Sequence, residues 1–152
     1  MEARTSGKVI YTAEAHVTGG RQNGHGRTAD GALEVELRMP PEMGGEGGGT
    51  NPEELFAVGY AACFESALGA VARRQKLQVD DVEIDSKVML APTEDRAFNL
   101  SVDLDVTLPS IEDEAQAAEL VHAAHQVCPY SNATRGNIEV NLTANGSPVE
   151  EA

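Results

Sequence analysis

Two residues in this chain carry chemistry that no other side chain type supplies, Cys63 and Cys128, and they stand 65 positions apart. A thiolate can attack a peroxide oxygen, a carbonyl carbon or another sulfur, and it can ligate a metal. Cys63 falls within LFAVGYAACFESALGAV, a run so apolar that a thiol there is ordinarily a small core residue. Cys128 falls in HQVCPYSNATRGN, where Pro129 directly after it ends the preceding helix and leaves the thiol on a turn able to reposition. A turn cysteine is the partner that a redox pair requires. An active cysteine must also have its pKa lowered from about 8.5 by positive charge or hydrogen bonds, because burial alone raises it. Arg21, Arg27, Arg38, Arg73, Arg74, Arg96 and Arg135 are all available as that cation, and composition does not choose between them. An arginine held by Glu53 or Glu54 in a two-pronged ion pair would be best oriented.

Other chemistries fit less well. His125 and Cys128 form one close pair of possible zinc ligands, where a structural zinc site ordinarily has two. A cysteine hydrolase would need a histidine beside Cys63, and His16, His25, His122 and His125 leave that open without a local signature. The loop GGEGGGTNPEE lacks the lysine of a phosphate-binding loop and places acid at a helix start, so it repels phosphate. A small-molecule binding module with incidental cysteines also stays open.

The elements that must position these residues are legible from periodicity. Val9, Tyr11, Ala13, Ala15 and Val17 alternate, as do Leu33, Val35, Leu37 and Met39, and the turn-rich segment between them predicts a hairpin. Val82, Ile84, Val88 and Leu90 predict a third strand, Phe98 through Leu108 a fourth, and Ile138, Val140 and Leu142 a last. Asn51, Pro52, Glu53 and Glu54 read as the start of a long helix that is apolar or small almost all round and is therefore expected to be buried. On it Phe56, Gly59, Tyr60, Ala67 and Ala70 share the face of Cys63, an apolar wall that would favour an alkyl hydroperoxide over hydrogen peroxide. A second helix is expected from Ser110 to about Val127, and the tail SPVEEA is expected to be loose. The order predicts one α+β domain over residues 1–152, with antiparallel sheet.

The 152 residues carry a formal charge of −14, with a pI near 4.5. Nucleic acid and anionic membrane are thereby repelled. No export signal is seen and no run approaches a membrane span, so the expected place is the cytoplasm, where both cysteines stay thiols unless chemistry oxidises them.

TNPEELFAVGYAACF (50–64) and AAHQVCPYSNATRGNIEV (123–140) resemble the organic hydroperoxide resistance proteins of the OsmC/Ohr family. VIYTAEAHVTGGR (9–21) and MGGEGGGTNP resemble it too, so the likeness spans residues 8 to 142. The resemblance implies a peroxidase reducing organic hydroperoxides, with Cys63 as the attacking thiolate and Cys128 as the thiol that resolves it. It selects Arg21, in GGR, as the cation and Glu53, in NPEE, as the carboxylate that holds it. It implies antiparallel sheets around a long buried helix, an intertwined homodimer, and a dihydrolipoamide-type dithiol or lipoylated protein as reductant, with no metal or flavin. Two departures stand out: Glu65, two residues after Cys63 and facing away from it, and VMLAPTEDRAFNL (88–100), which lacks the expected glycines and keeps only Phe98 for the pocket.

Overall fold

The computed structural model of the chain describes residues 7–150. Its elements are β1 (Ala15–Thr18), β2 (Asn23–Thr28), β3 (Glu34–Arg38), a 3-10 turn at Pro41–Met43, α1 (Pro52–Arg74), β4 (Glu83–Pro92), β5 (Phe98–Thr107), α2 (Glu114–Val127), α3 (Pro129–Thr134), β6 (Val140–Ala144) and β7 (Ser147–Val149). The class is α+β, and the chain forms two compact units that divide between Pro52 and Glu53.

The first unit is a three-stranded antiparallel sheet in the order β1-β2-β3. The expected hairpin between the first two alternating segments is therefore incorrect, because the glycine-rich connection itself contains β2. Its glycines serve two purposes. Gly19, Gly20 and Gly31 adopt the positive φ that the flanking turns require. Gly24 lies within the strand, where a Cβ would come 1.9 Å from the Gly20 carbonyl oxygen. Between these glycines His25 faces Glu36 and Arg27 faces Glu34 across the ladder. The His25 ring bridges Glu36 at 2.7 Å and Glu34 at 2.9 Å. The hydrogen bond to Glu36 raises the His25 pKa.

A second departure lies upstream. The alternation over 9–17 becomes ladder only from Ala15, and Val9, Ile10 and Tyr11 are 81%, 98% and 77% exposed. Nothing within the described residues offers those positions a buried face, so period two alone does not make them strand.

In the second unit α1 runs unbroken through Gly59, and only one stripe of it is buried: Tyr60, Phe64, Ala67, Leu68, Val71 and Ala72. Within the single chain the helix is not buried all round, since Val58, Ala62, Glu65 and Ser66 are exposed. The buried stripe shares a core with Val102, Leu104 and Val106 of β5 and with Leu120, Val121 and Ala124 of α2. Alanine and glycine make the other face apolar without giving it a partner. With a mean hydropathy of 1.6 the helix also meets the length and composition of a membrane span, contrary to the sequence reading, although its packed stripe is that of a core helix.

The second sheet has the order β4-β5-β6-β7. Its β4–β5 turn does without glycine: Arg96 takes the positive φ, and the Thr93 hydroxyl both bonds the Asp95 carboxylate and accepts the Ala97 N–H. The β5–β6 pair is parallel, which corrects the all-antiparallel expectation. A parallel pair needs a crossover, and α2 with α3 supplies it. α2 begins at Glu114 and not at Ser110, because Asp113 caps it by accepting from the Gln116 N–H at 3.1 Å. The Ser110 hydroxyl is engaged elsewhere, accepting from the Asp80 N–H and donating to the Gln78 carbonyl. The tail is not loose over Ser147–Val149, which pairs with β6 after a turn at Asn145 and Gly146. Glu151 and Ala152 lie outside the described residues.

Candidate active site

Cys63 is carried by the middle of α1 and Cys128 by the junction of α2 and α3. Their sulfur atoms lie 3.6 Å apart, and both thiols are free. Residues 65 positions apart are thus in contact within the second unit. Cys63 is half-buried and Cys128 fully buried.

Cys128 is not on a free turn. Its N–H donates to the Ala124 carbonyl, closing α2, and its own carbonyl accepts from the Asn132 N–H, opening α3. Pro129 stops the first helix as expected and occupies the first position of the second, where its missing N–H costs nothing. The thiol is therefore fixed by backbone on both sides, and it needs little movement because the other sulfur is already beside it.

Three rings come from the helices that carry or flank the thiols. Phe56 meets Tyr60 edge to face with centroids 5.8 Å apart, and Tyr130 lies 5.7 Å from Phe56 and 5.6 Å from Tyr60. Gly59 leaves room for Tyr130, whose hydroxyl would come within 2.8 Å of any Cβ there. Phe56 and Tyr60 were expected on this wall, whereas Tyr130 was missed, its signal being an aromatic two residues past Cys128 at the start of the next helix. Phe98 begins β5 opposite Pro92 and is two-thirds exposed. It is not a member of the ring cluster.

Under the rings lies a polar network that sequence reasoning also missed. The Tyr60 hydroxyl is 2.8 Å from Ser131 Oγ and 3.1 Å from Thr134 Oγ1. His125 Nδ1 is 2.8 Å from the same Ser131 Oγ. His125, Ser131 and Thr134 are all buried. Arg135 closes the network by donating from Nη1 to the His125 carbonyl at 2.7 Å and from Nη2 to Asn132 Oδ1 at 2.5 Å. Burial pushes the Cys128 pKa up, while hydrogen bonds from the Ser131 N–H and hydroxyl pull it partly back. Burial raises Tyr60 likewise.

Of the two remaining sequence candidates, Arg21 is half-buried in the β1–β2 turn of the first unit, just after Gly19 and Gly20. Glu53 occupies the first turn of α1, ten residues before Cys63 and so about 15 Å away along the helix axis. Among the described residues no group of three or more His, Cys, Asp or Glu side chains could hold a metal ion.

Residues 45–143 match the family described as OsmC-like protein. The chain belongs to the OsmC/Ohr family. It is 52% identical over 138 residues to the organic hydroperoxide resistance protein of Xanthomonas axonopodis pv. citri, covering 90% of this chain and 95% of that one. It is 46% identical over 135 residues to the Bacillus subtilis protein OhrB, named as an organic hydroperoxide resistance protein, covering 88% and 97%. Among solved OsmC/Ohr structures, that of the Legionella pneumophila organic hydroperoxide resistance protein has a TM-score of 0.84 at 52% identity, over 89% of this chain and 97% of that one. A Vibrio cholerae structure of the same description, with captopril bound in one of its active sites, has a TM-score of 0.90 at 44% identity, over 97% and 100%. These relatives support a role in resistance to organic hydroperoxides.

Proposed function

We propose that the chain is a thiol peroxidase that reduces organic hydroperoxides to alcohols. The observation that carries this reading is the 3.6 Å approach of two free thiols. A disulfide needs sulfurs about 2.05 Å apart, a distance reached from here by a side-chain adjustment. In the proposed cycle the Cys63 thiolate attacks the distal oxygen of ROOH, the O–O bond breaks, and the alkoxide leaves as alcohol after taking a proton. Cys63 is then a sulfenic acid. The Cys128 thiolate attacks its sulfur, the S–O bond breaks, and water leaves as the disulfide forms. A dihydrolipoamide-type dithiol, free or as a lipoylated protein, restores both thiols by exchange. On the motif resemblance, Arg21 is assigned to stabilising the Cys63 thiolate and the developing oxyanion, and Glu53 to holding Arg21. Phe56, Tyr60 and Tyr130 give the substrate an apolar wall, worth about 0.8 kcal/mol for each methylene buried against it, and Phe98 is assigned to the rim. The first test is thiol titration. One equivalent of cumene hydroperoxide is expected to consume both free thiols of each chain, and dihydrolipoamide to restore them; persistence of both thiols refutes the reading.

The working unit we propose is a homodimer. Val9, Ile10 and Tyr11, together with Val58 on the uncovered face of α1, are apolar and more than two-thirds exposed in the single chain. Exposed apolar surface on each unit marks association. Sedimentation equilibrium is expected to give twice the 16.1 kDa chain mass, and a monomer at micromolar concentration would contradict it.

A further inference from the structure

The reaction above leaves one buried titratable side chain without a task, His125. We infer that His125 accepts, through the Ser131 hydroxyl, the proton that Cys128 gives up as it closes the disulfide. This inference rests on the proposed peroxidase reading, and it assigns a residue to the second step of that reaction only.

Ser131 is the third residue of α3, whose N-cap is Cys128, so its hydroxyl is carried back over the N-cap side chain. It lies 2.8 Å from both His125 Nδ1 and the Tyr60 hydroxyl, and the hydrogen-bonding groups of Ser131 act to lower the Cys128 pKa. A hydroxyl has one proton to give and two lone pairs. When Ser131 donates to His125 Nδ1, its lone pairs are left to accept from the Tyr60 O–H and, once the Cys128 S–H turns from Cys63 Sγ, from that thiol. This is the arrangement from which a proton can pass from sulfur to imidazole.

A base is needed because burial holds the Cys128 pKa above its ordinary value. In the transfer the Cys128 proton goes to Ser131 Oγ as the Ser131 proton goes to His125 Nδ1. The thiolate then attacks the Cys63 sulfur as its S–O bond breaks, and the departing hydroxide takes back, by way of Ser131 Oγ, the proton held on His125 and leaves as water. Titratable and charged groups that meet this path include Cys63 and Tyr60 from α1, Cys128 itself, and Arg135 from the end of α3. The buried residues of β6 against α2, Val140, Leu142 and Ala144, add none. The Arg135 guanidinium at the His125 carbonyl favours the thiolate and disfavours a lasting imidazolium, which suits a base that returns its proton within the step.

The test is single-turnover kinetics with tert-butyl hydroperoxide, following sulfenic acid formation and disulfide closure separately. His125→Gln keeps an acceptor near Ser131 that does not take up a proton, and Ser131→Ala removes the relay. Both are expected to slow closure by about 100-fold, the lower end of general-base contributions, with sulfenic acid formation unchanged and closure recovering as pH rises. In a Cys63→Ala background, His125→Gln should raise the Cys128 pKa read from thiolate ultraviolet absorbance. Closure at the parent rate, equal slowing at every pH, or an unmoved Cys128 titration overturns the inference. Failure of the unmutated protein to form any sulfenic acid instead overturns the peroxidase reading, and the Cys128 titration still decides the relay.

Discussion

Cys63→Ser is expected to abolish consumption of tert-butyl and cumene hydroperoxide, with steady-state activity falling by at least about 1,000-fold, the scale set by removing a covalent nucleophile. The serine hydroxyl does not ionise near neutral pH and has no sulfenic state, so neither the attack nor the intermediate survives. The substitution is conservative in shape, replacing a half-buried thiol inside a continuous helix. Its melting temperature should therefore stay near the parent's, and lost activity cannot be charged to unfolding. The decisive measurement is peroxide loss in the presence of dihydrolipoamide. A variant that still turns over at a substantial fraction of the parent rate removes Cys63 from the mechanism, and with it the meaning of the sulfur contact.

The second unit was the more legible part of the fold. An unbroken alternation from Phe98 to Leu108 has one structural solution, and β5 takes it, with Val102, Leu104 and Val106 buried together. Helix α2 was legible in its body and misplaced at its start, because Ser110 and Asp113 are both plausible caps and only tertiary bonding to Gln78 and Asp80 tells which is free to cap. The failures have two causes. β2 was hidden because glycine serves both turns and close backbone packing, and Gly24 is there for the second reason. The first alternating segment was read as strand because apolar alternation was treated as proof of a partner, and the helix was expected to be buried without apolar sequence saying what covers it. Val9 to Tyr11 and Val58 show that apolar sequence states a demand for cover without saying what meets it.

The site was legible where the chemistry depends on residue type and illegible where it depends on contact. Two cysteines in one chain invite pairing, and their adjacency confirms that the two segments meet. Phe56 and Tyr60 followed from helical spacing, since one wall of one helix is a local matter. Tyr130, Ser131, Thr134 and His125 did not follow. They come from two other helices, and their convergence on Tyr60 depends on the angle that Pro129 introduces after Cys128. The mobility expected of Cys128 failed for the same reason, because a proline that ends one helix also begins the next.

Cys128→Ser should separate the two halves of the cycle. Its sulfenic acid forms on Cys63 at the parent rate, since the first step does not use the second sulfur, and then has no neighbouring thiol to meet. Serine is a favoured N-cap, so α3 keeps its start and the fold is retained. In the parent, closure benefits from sulfurs held 3.6 Å apart, and well-oriented intramolecular reactions reach effective molarities of about 10⁵ M or more. External dithiol at millimolar concentration cannot match that, so steady-state turnover should fall to a small residue that rises linearly with dithiol. Under excess hydroperoxide the stranded sulfenic acid is oxidised further, to sulfinic and then sulfonic acid. Intact mass spectrometry should show those oxygen additions in Cys128→Ser, whereas the parent loses two hydrogens and stops. If Cys128→Ser cycles at the parent rate, or if the parent accumulates oxygen instead of forming a disulfide, Cys128 is not the resolving thiol, and the contact between the two sulfurs is only packing.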